Sequence, residues 1–175
     1  MWAISTLETF LTRGSQQAGV RLTPKQRALL AADIASSILP FQRTHWLSSP
    51  WSSQTIRFAV PPANTGQSCG NRLTVGAFIE QNHDALKSTG PVPNLEPQAA
   101  LLELSILLLE IWHQKSLKDW ALEAKTEVNT PDSRRIAATG WLQATDKELP
   151  VNYLDAIEQC LAICSGKLRC EAWIG

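Results

Sequence analysis

The chain has 175 residues, 44% of them hydrophobic, a length and composition that suit one globular domain with its own core and exclude a disordered chain. Sixteen basic residues balance sixteen acidic ones. Zero net charge argues against nucleic acid as the main partner, because phosphate binding draws on a basic excess. It also removes the charge repulsion that discourages self-association, which leaves a homo-oligomer open.

The N-terminus, Met1-Trp2-Ala3-Ile4-Ser5-Thr6, lacks the basic and apolar regions of a secretory signal. Residues Thr6 to Thr12 read as a short helix ending at Gly14, and Gly14 to Gly19 as a loop. Thr23-Pro24-Lys25-Gln26 is a helix start: Thr23 is the N-cap, Pro24 the first helical residue, and Gln26 completes a capping box. That helix runs to about Leu39 with Leu30, Ile34 and Ile38 on one face, and Pro40 ends it. Gln54 to Val60 alternates weakly and reads as a short strand stopped by Pro61 and Pro62. Ala77 to Leu86 is expected to be a short helix. Lys87 to Gln98, with Gly90, Pro91, Pro93 and Pro97, reads as a surface linker.

The organising element is Ala100 to Trp112, the most apolar run of the chain, broken only by Glu103, Ser105 and Glu110. A helix that is apolar nearly all round is buried on most sides. It is too short for a membrane span, and nothing else in the sequence is long and apolar enough. Glu103 and Glu110 lie two turns apart on one edge, which is expected to reach solvent or basic partners. Such a pair is expected to be structural rather than a catalytic dyad. Leu117 to Ala124 is a further amphipathic helix. Asn129-Thr130-Pro131-Asp132 marks a turn, followed by helices over Arg134 to Thr145 and Val151 to Ile163. Tyr153, Leu154, Ile157, Leu161 and Ala162 form the apolar face of the last helix, and Ser165-Gly166 stops it. The fold class is therefore mainly α, with one or two short strands. There is no internal repeat.

Few residues point to chemistry. The histidines His45, His83 and His113 lie in no recognisable motif, and there is no nucleophile elbow, phosphate loop or zincin helix. The cysteines are Cys69, Cys160, Cys164 and Cys170. Cys160 and Cys164 share a helical face, but their spacing with Cys170 fits no standard zinc pattern, so they read as small, unreactive thiols. The four make no disulfide framework, which suits a reducing, cytoplasmic setting. No catalytic, cofactor-binding or metal-ligating residue is assigned, and no cofactor is expected. The chain has seven tryptophans, mostly core fillers by expectation. Trp46 and Trp51, set among serines and Pro50, are the candidate partner surface.

The order of Ala28 to Leu39, Thr44-His45-Trp46-Leu47, Trp51-Ser52, Ile56-Arg57-Phe58, then Leu104 to Ile111, then Tyr153 to Ile157 with Cys160-Leu161, resembles a family of uncharacterised fungal domains. Members often lie C-terminal to HeLo-like, prion-inhibition-type domains, and the family looks like the C-terminal lobe of a protein kinase. The resemblance covers about Leu7 to Leu161. It implies one kinase-C-lobe-like domain over residues 1–175, a shortened member or fragment with no N-lobe.

In kinases a catalytic Asp, a phosphate-steadying Lys and a magnesium-holding Asn precede a short strand. Placing the strand start at Ile56 puts Ser48, Ser49 and Pro50 where His-Arg-Asp would stand, Ser52 for the Lys and Thr55 for the Asn. No Asp-Phe-Gly occurs. Pro40 and Gln42 also depart from the family pattern. The resemblance thus implies a non-catalytic scaffold that engages a protein partner or neighbouring domain, without nucleic acid or membrane. Two other readings stand beside it: a nucleotide-binding pseudoenzyme or unrecognised enzyme with a pocket around Thr44 to Thr55, and a purely structural domain of a larger protein.

Overall fold

A computed structural model describes residues 3–9, 11, 22–38, 52–60, 77–79 and 97–166. Among them the protein is mainly helical, with a small sheet. Strand β1 (Ala3–Thr6) leads into helical residues 7–9 and 11, followed by helix α1 (Pro24–Ile38), strands β2 (Ile56–Val60) and β3 (Ala77–Ile79), and helices α2 (Pro97–His113), α3 (Leu117–Ala124), α4 (Pro131–Thr145) and α5 (Val151–Cys164). A single 3-10 turn, Asp146–Glu148, joins the last two helices.

The caps explain most helix starts. Thr23 Oγ1 accepts from Gln26 N at 3.3 Å and Gln26 Oε1 accepts from Thr23 N at 2.9 Å, the reciprocal box expected for α1. The segment Thr130-Pro131 is a helix start rather than a free turn. Thr130 caps α4 and exchanges bonds with Ser133, so α4 begins three residues before the expected Arg134. Proline at the first helical position satisfies both descriptions, since it bends the incoming chain and has no amide proton to lose. At the other end of α5, Gly166 takes φ +68°, which suits glycine because it has no Cβ.

The sheet corrects the sequence reading. Ala77–Ile79 is a strand, not the start of a helix, and among the described residues three strands are present where one or two were expected. Strand β2 lies in the middle, antiparallel to β1 (Ala3 opposite Val60) and to β3 (Ile56 opposite Ile79). A short apolar run takes its conformation from the strand that pairs with it, which local sequence does not reveal.

Helix α2 is the hub. Every residue from Leu104 to Trp112 is buried. Ser105 disposes of its hydroxyl by donating to Leu102 O at 2.7 Å. Leu7, Leu30, Ile34, Ile56, Leu117, Trp141, Ile157 and Leu161 pack into the same core around α2. Burying each large apolar side chain contributes about 1.5–3 kcal/mol.

Two features fix the C-terminal end of α2. Arg27 of α1 donates to Trp112 O at 2.7 Å and to Gln114 Oε1 at 3.2 Å, placing a cation where the helix carbonyls concentrate negative charge. Trp112 Nε1 donates to Glu148 O at 3.1 Å, and Tyr153 OH to Leu108 O at 2.8 Å. No helix among the described residues is long and apolar enough to cross a membrane.

Candidate functional site

A cavity of about 150 Å3 lies where α2, the starts of α3 and α4, residue 8 and the 52–54 turn meet. Among the described residues, Glu103, Glu110, Ser52, Ser53, Gln54, Glu8, Ser116, Lys118 and Arg134 supply its polar lining, and Ile106, Leu107 and Leu117 its apolar floor.

The two glutamates of α2, two turns apart, have opposite fates. Glu103 meets Arg134 in the first turn of α4, through Nε to Oε1 at 3.1 Å and Nη2 to Oε2 at 2.7 Å. The planar guanidinium matches the two carboxylate oxygens, which makes this a directional, charge-assisted pair. Glu110 has no such cation. Its Oε1 accepts from Leu117 N, the first amide of α3, at 2.8 Å. That amide belongs to the positive end of a helix, a favourable place for a carboxylate. Its Oε2 is buried with no hydrogen-bond partner among the described residues, and the Ser53 side chain lies beside the carboxyl.

The expectation that this edge reaches solvent or basic partners therefore holds for Glu103 and fails for Glu110, which is 4% exposed. The reason is tertiary: the 52–54 turn and the start of α3 cover the edge at Glu110, two turns beyond the Glu103–Arg134 pair. Burial pushes the Glu110 carboxyl up to about 7, against the pull of the Leu117 amide, Ser53 and Arg134. A carboxyl that holds a proton near neutral pH in a cleft is a functional-site candidate. It is able to accept or release a proton at Oε2. No histidine or cysteine is among the described lining residues, so no activated nucleophile is assembled there.

The 52–54 turn that closes the cavity is held by its own side chains. Thr55 Oγ1 accepts from Ser52 N at 2.9 Å and donates to Ser52 O at 3.1 Å. Ser53 O accepts from Glu8 N at 2.8 Å, and Gln54 Nε2 donates to Glu8 Oε1 at 3.1 Å. These bonds tie the turn to the chain entering from β1.

A second cluster is aromatic. Trp120 stacks on Trp141 with centroids 5.6 Å apart, Trp112 meets Tyr153 at 5.0 Å, and His113 lies 5.3 Å from Trp141. These three tryptophans are packing residues, as expected for most of the seven. Burial holds His113 below its usual value, although Glu148 Oε2 lies 3.7 Å from Nδ1.

The candidate partner residues Trp46 and Trp51 lie outside the described residues, as do His45, His83, Cys69 and Cys170. Cys160 and Cys164 are half-buried thiols, and Cys164 Sγ donates to Gln98 O at 3.0 Å. Burial pushes the Cys160 thiol up to about 11, so it stays protonated and poorly nucleophilic at neutral pH. Among the described residues, no three His, Cys, Asp or Glu side chains converge to hold a metal. Sequence reasoning singled out the two glutamates, and the Thr44 to Thr55 stretch of its alternative pocket contains Ser52, Ser53 and Gln54, but it missed Lys118 and Arg134. The available signal was Glu110 itself, an acid flanked on both sides by Leu107-Leu108-Leu109 and Ile111-Trp112.

The chain belongs to a family described only as a domain of unknown function (DUF7580), whose model matches residues 3–171. No curated protein and no solved structure matches it.

Proposed function

We propose that this domain is a non-catalytic protein-interaction or regulatory module. On this reading it is a pseudokinase-like scaffold that keeps the helices of a kinase C-lobe and has lost the parts for phosphoryl transfer. The setting we infer is the cytoplasm of a fungal cell, in a signalling or incompatibility protein where the domain follows a HeLo-like partner domain. A protein partner or neighbouring domain, rather than nucleic acid or membrane, is its target.

The observation that carries the reading is the turn before β2. Strand β2 starts at Ile56, and under the kinase alignment anchored there Ser52 and Thr55 would take the places of the Lys and the magnesium-binding Asn. Their side chains are spent within the turn: Thr55 Oγ1 accepts from Ser52 N and donates to Ser52 O, and the Ser52 hydroxyl accepts from Gln54 N at 3.3 Å. Neither carries charge to a phosphate, and the pair serves to shape the turn.

Thermal unfolding of the purified chain with and without millimolar Mg·ATP or Mg·GTP tests this. A ligand present at 100 times its dissociation constant adds about 2.7 kcal/mol to folded-state stability, a shift of a few degrees at this size. The expected result is no shift. A magnesium-dependent shift would mean that a nucleotide site operates, and the pseudoenzyme reading would replace this one. Capture of one reproducible protein by the wild-type chain, lost on Trp46→Ala and Trp51→Ala, is the expected positive result. Loss of no partner in those variants would remove the tryptophans from the partner surface.

A further inference from the structure

We infer that Glu110 is a proton-dependent latch that holds the 52–55 turn against the helical core. The carboxyl sits where three parts of the chain meet. It projects from α2, its Oε1 takes the first amide of α3 at 2.8 Å, and the Ser53 side chain lies beside it. Its Oε2 is buried and without a hydrogen-bond partner among the described residues. A neutral carboxyl gives that oxygen a proton to donate, and the Ser53 hydroxyl is able to accept it. An ionised carboxyl keeps the Leu117 amide and is able to take the Ser53 hydroxyl as a donor, but it holds a full charge at 4% exposure, out of water and bonded to no cation among the described residues. Loss of the proton therefore favours a state in which the turn lifts and water reaches Oε2.

The surrounding charges do not cancel this. Arg134 of α4 attracts the carboxylate but is committed to Glu103 through both of its bonds. Glu103, on α2 itself, repels it, while the Leu117 amide at the start of α3 favours it. Lys118 of α3 and Glu8 line the adjoining cavity, and the 52–54 turn contributes no charged side chain. Burial pushes the carboxyl up to about 7, which puts the latch in the physiological range. The inference is independent of the proposed interaction role, because it concerns how one turn responds to protons whatever the domain binds.

Hydrogen–deuterium exchange of the full chain, corrected for the intrinsic pH dependence of amide exchange, tests it. The reporters are the amides of Glu8, Ser52 and Thr55, all bonded within or to the turn. A carboxyl that moves from about 7 in the closed state to its ordinary 4.5 on opening makes the open state about tenfold more populated at pH 8 than at pH 6. The expected result is that increase in the wild type and none in Glu110→Gln, whose amide keeps an acceptor for Leu117 and a permanent donor for Ser53. The interior amides of α2, Leu107 to Leu109, should stay better protected than the turn at each pH. Three results would overturn the latch: no pH response in the turn, a response that survives in Glu110→Gln, or turn and α2 exchanging at one common free energy.

Discussion

Glu110 and His113 lie one turn apart on α2, the first buried and the second half-buried, and the two titratable groups act on stability in opposite senses. The Glu110 carboxyl is raised from 4.5 to about 7, so between those values the folded chain holds a proton that the unfolded chain has lost. Its contribution is fully present below about pH 4.5 and is lost as pH rises through 7. At about 1.4 kcal/mol per tenfold change in the protonation equilibrium, the loss is on the order of 3 kcal/mol. His113 is lowered from 6.5, so it costs stability as pH falls below that value, where the unfolded imidazole takes up a proton first. A single stability curve mixes the two. The difference between wild type and Glu110→Gln isolates the carboxyl, because His113 is common to both. Urea unfolding at intervals from pH 4.5 to 8 should show the advantage of the wild type over the variant shrinking steadily up to pH 7, then levelling. A constant difference across that range would mean that Glu110 is ionised in the folded protein.

At the level of elements, Gly140 in the interior of α4 offers a clean test of what holds a helix. A Cβ built there would meet the Trp120 ring at 3.5 Å, which is ordinary contact. Gly140→Ala should therefore gain the helix preference of alanine, about 0.5–1 kcal/mol. Thr23→Ala should cost about 1 kcal/mol, since it removes the acceptor that Gln26 N uses at the start of α1. Denaturant midpoints of the two variants should move in opposite directions. Destabilisation by Gly140→Ala would show that the ring has no room to stay where it is. The elements also show what local sequence discloses. The Thr23 box, the α3 limits and the α5 stop are written within four residues of each helix end, and all were legible. Strand β3 was not, because Ala77–Ile79 becomes a strand only through its pairing with Ile56 to Phe58. The site was half legible for the same reason. The two-turn spacing placed Glu103 and Glu110 on one edge, but the packing of α4 and of the 52–54 turn decides which acid meets Arg134.

At the scale of the molecule, sheet and helices share one core. Leu7 and Leu11 after β1, Ile56 at the start of β2, and Leu107 and Leu109 of α2 are all 1% exposed or less and belong to one contiguous cluster. A core of that kind should unfold as one unit, in which damage at the sheet is felt at the far helices. Ile56→Ala removes a side chain on the sheet side of the core and should cost about 2–5 kcal/mol. The tryptophans Trp112, Trp120 and Trp141 report from the helical side, where they pack around Tyr153 and His113. Fluorescence-detected urea unfolding of Ile56→Ala should thus show a midpoint lowered in proportion, with the slope unchanged, since the surface exposed on unfolding is nearly the same. A fluorescence midpoint left at the wild-type value would mean that the sheet melts apart from the helices. The proton latch at Glu110 would then report on a joint between two units, not on a turn within one.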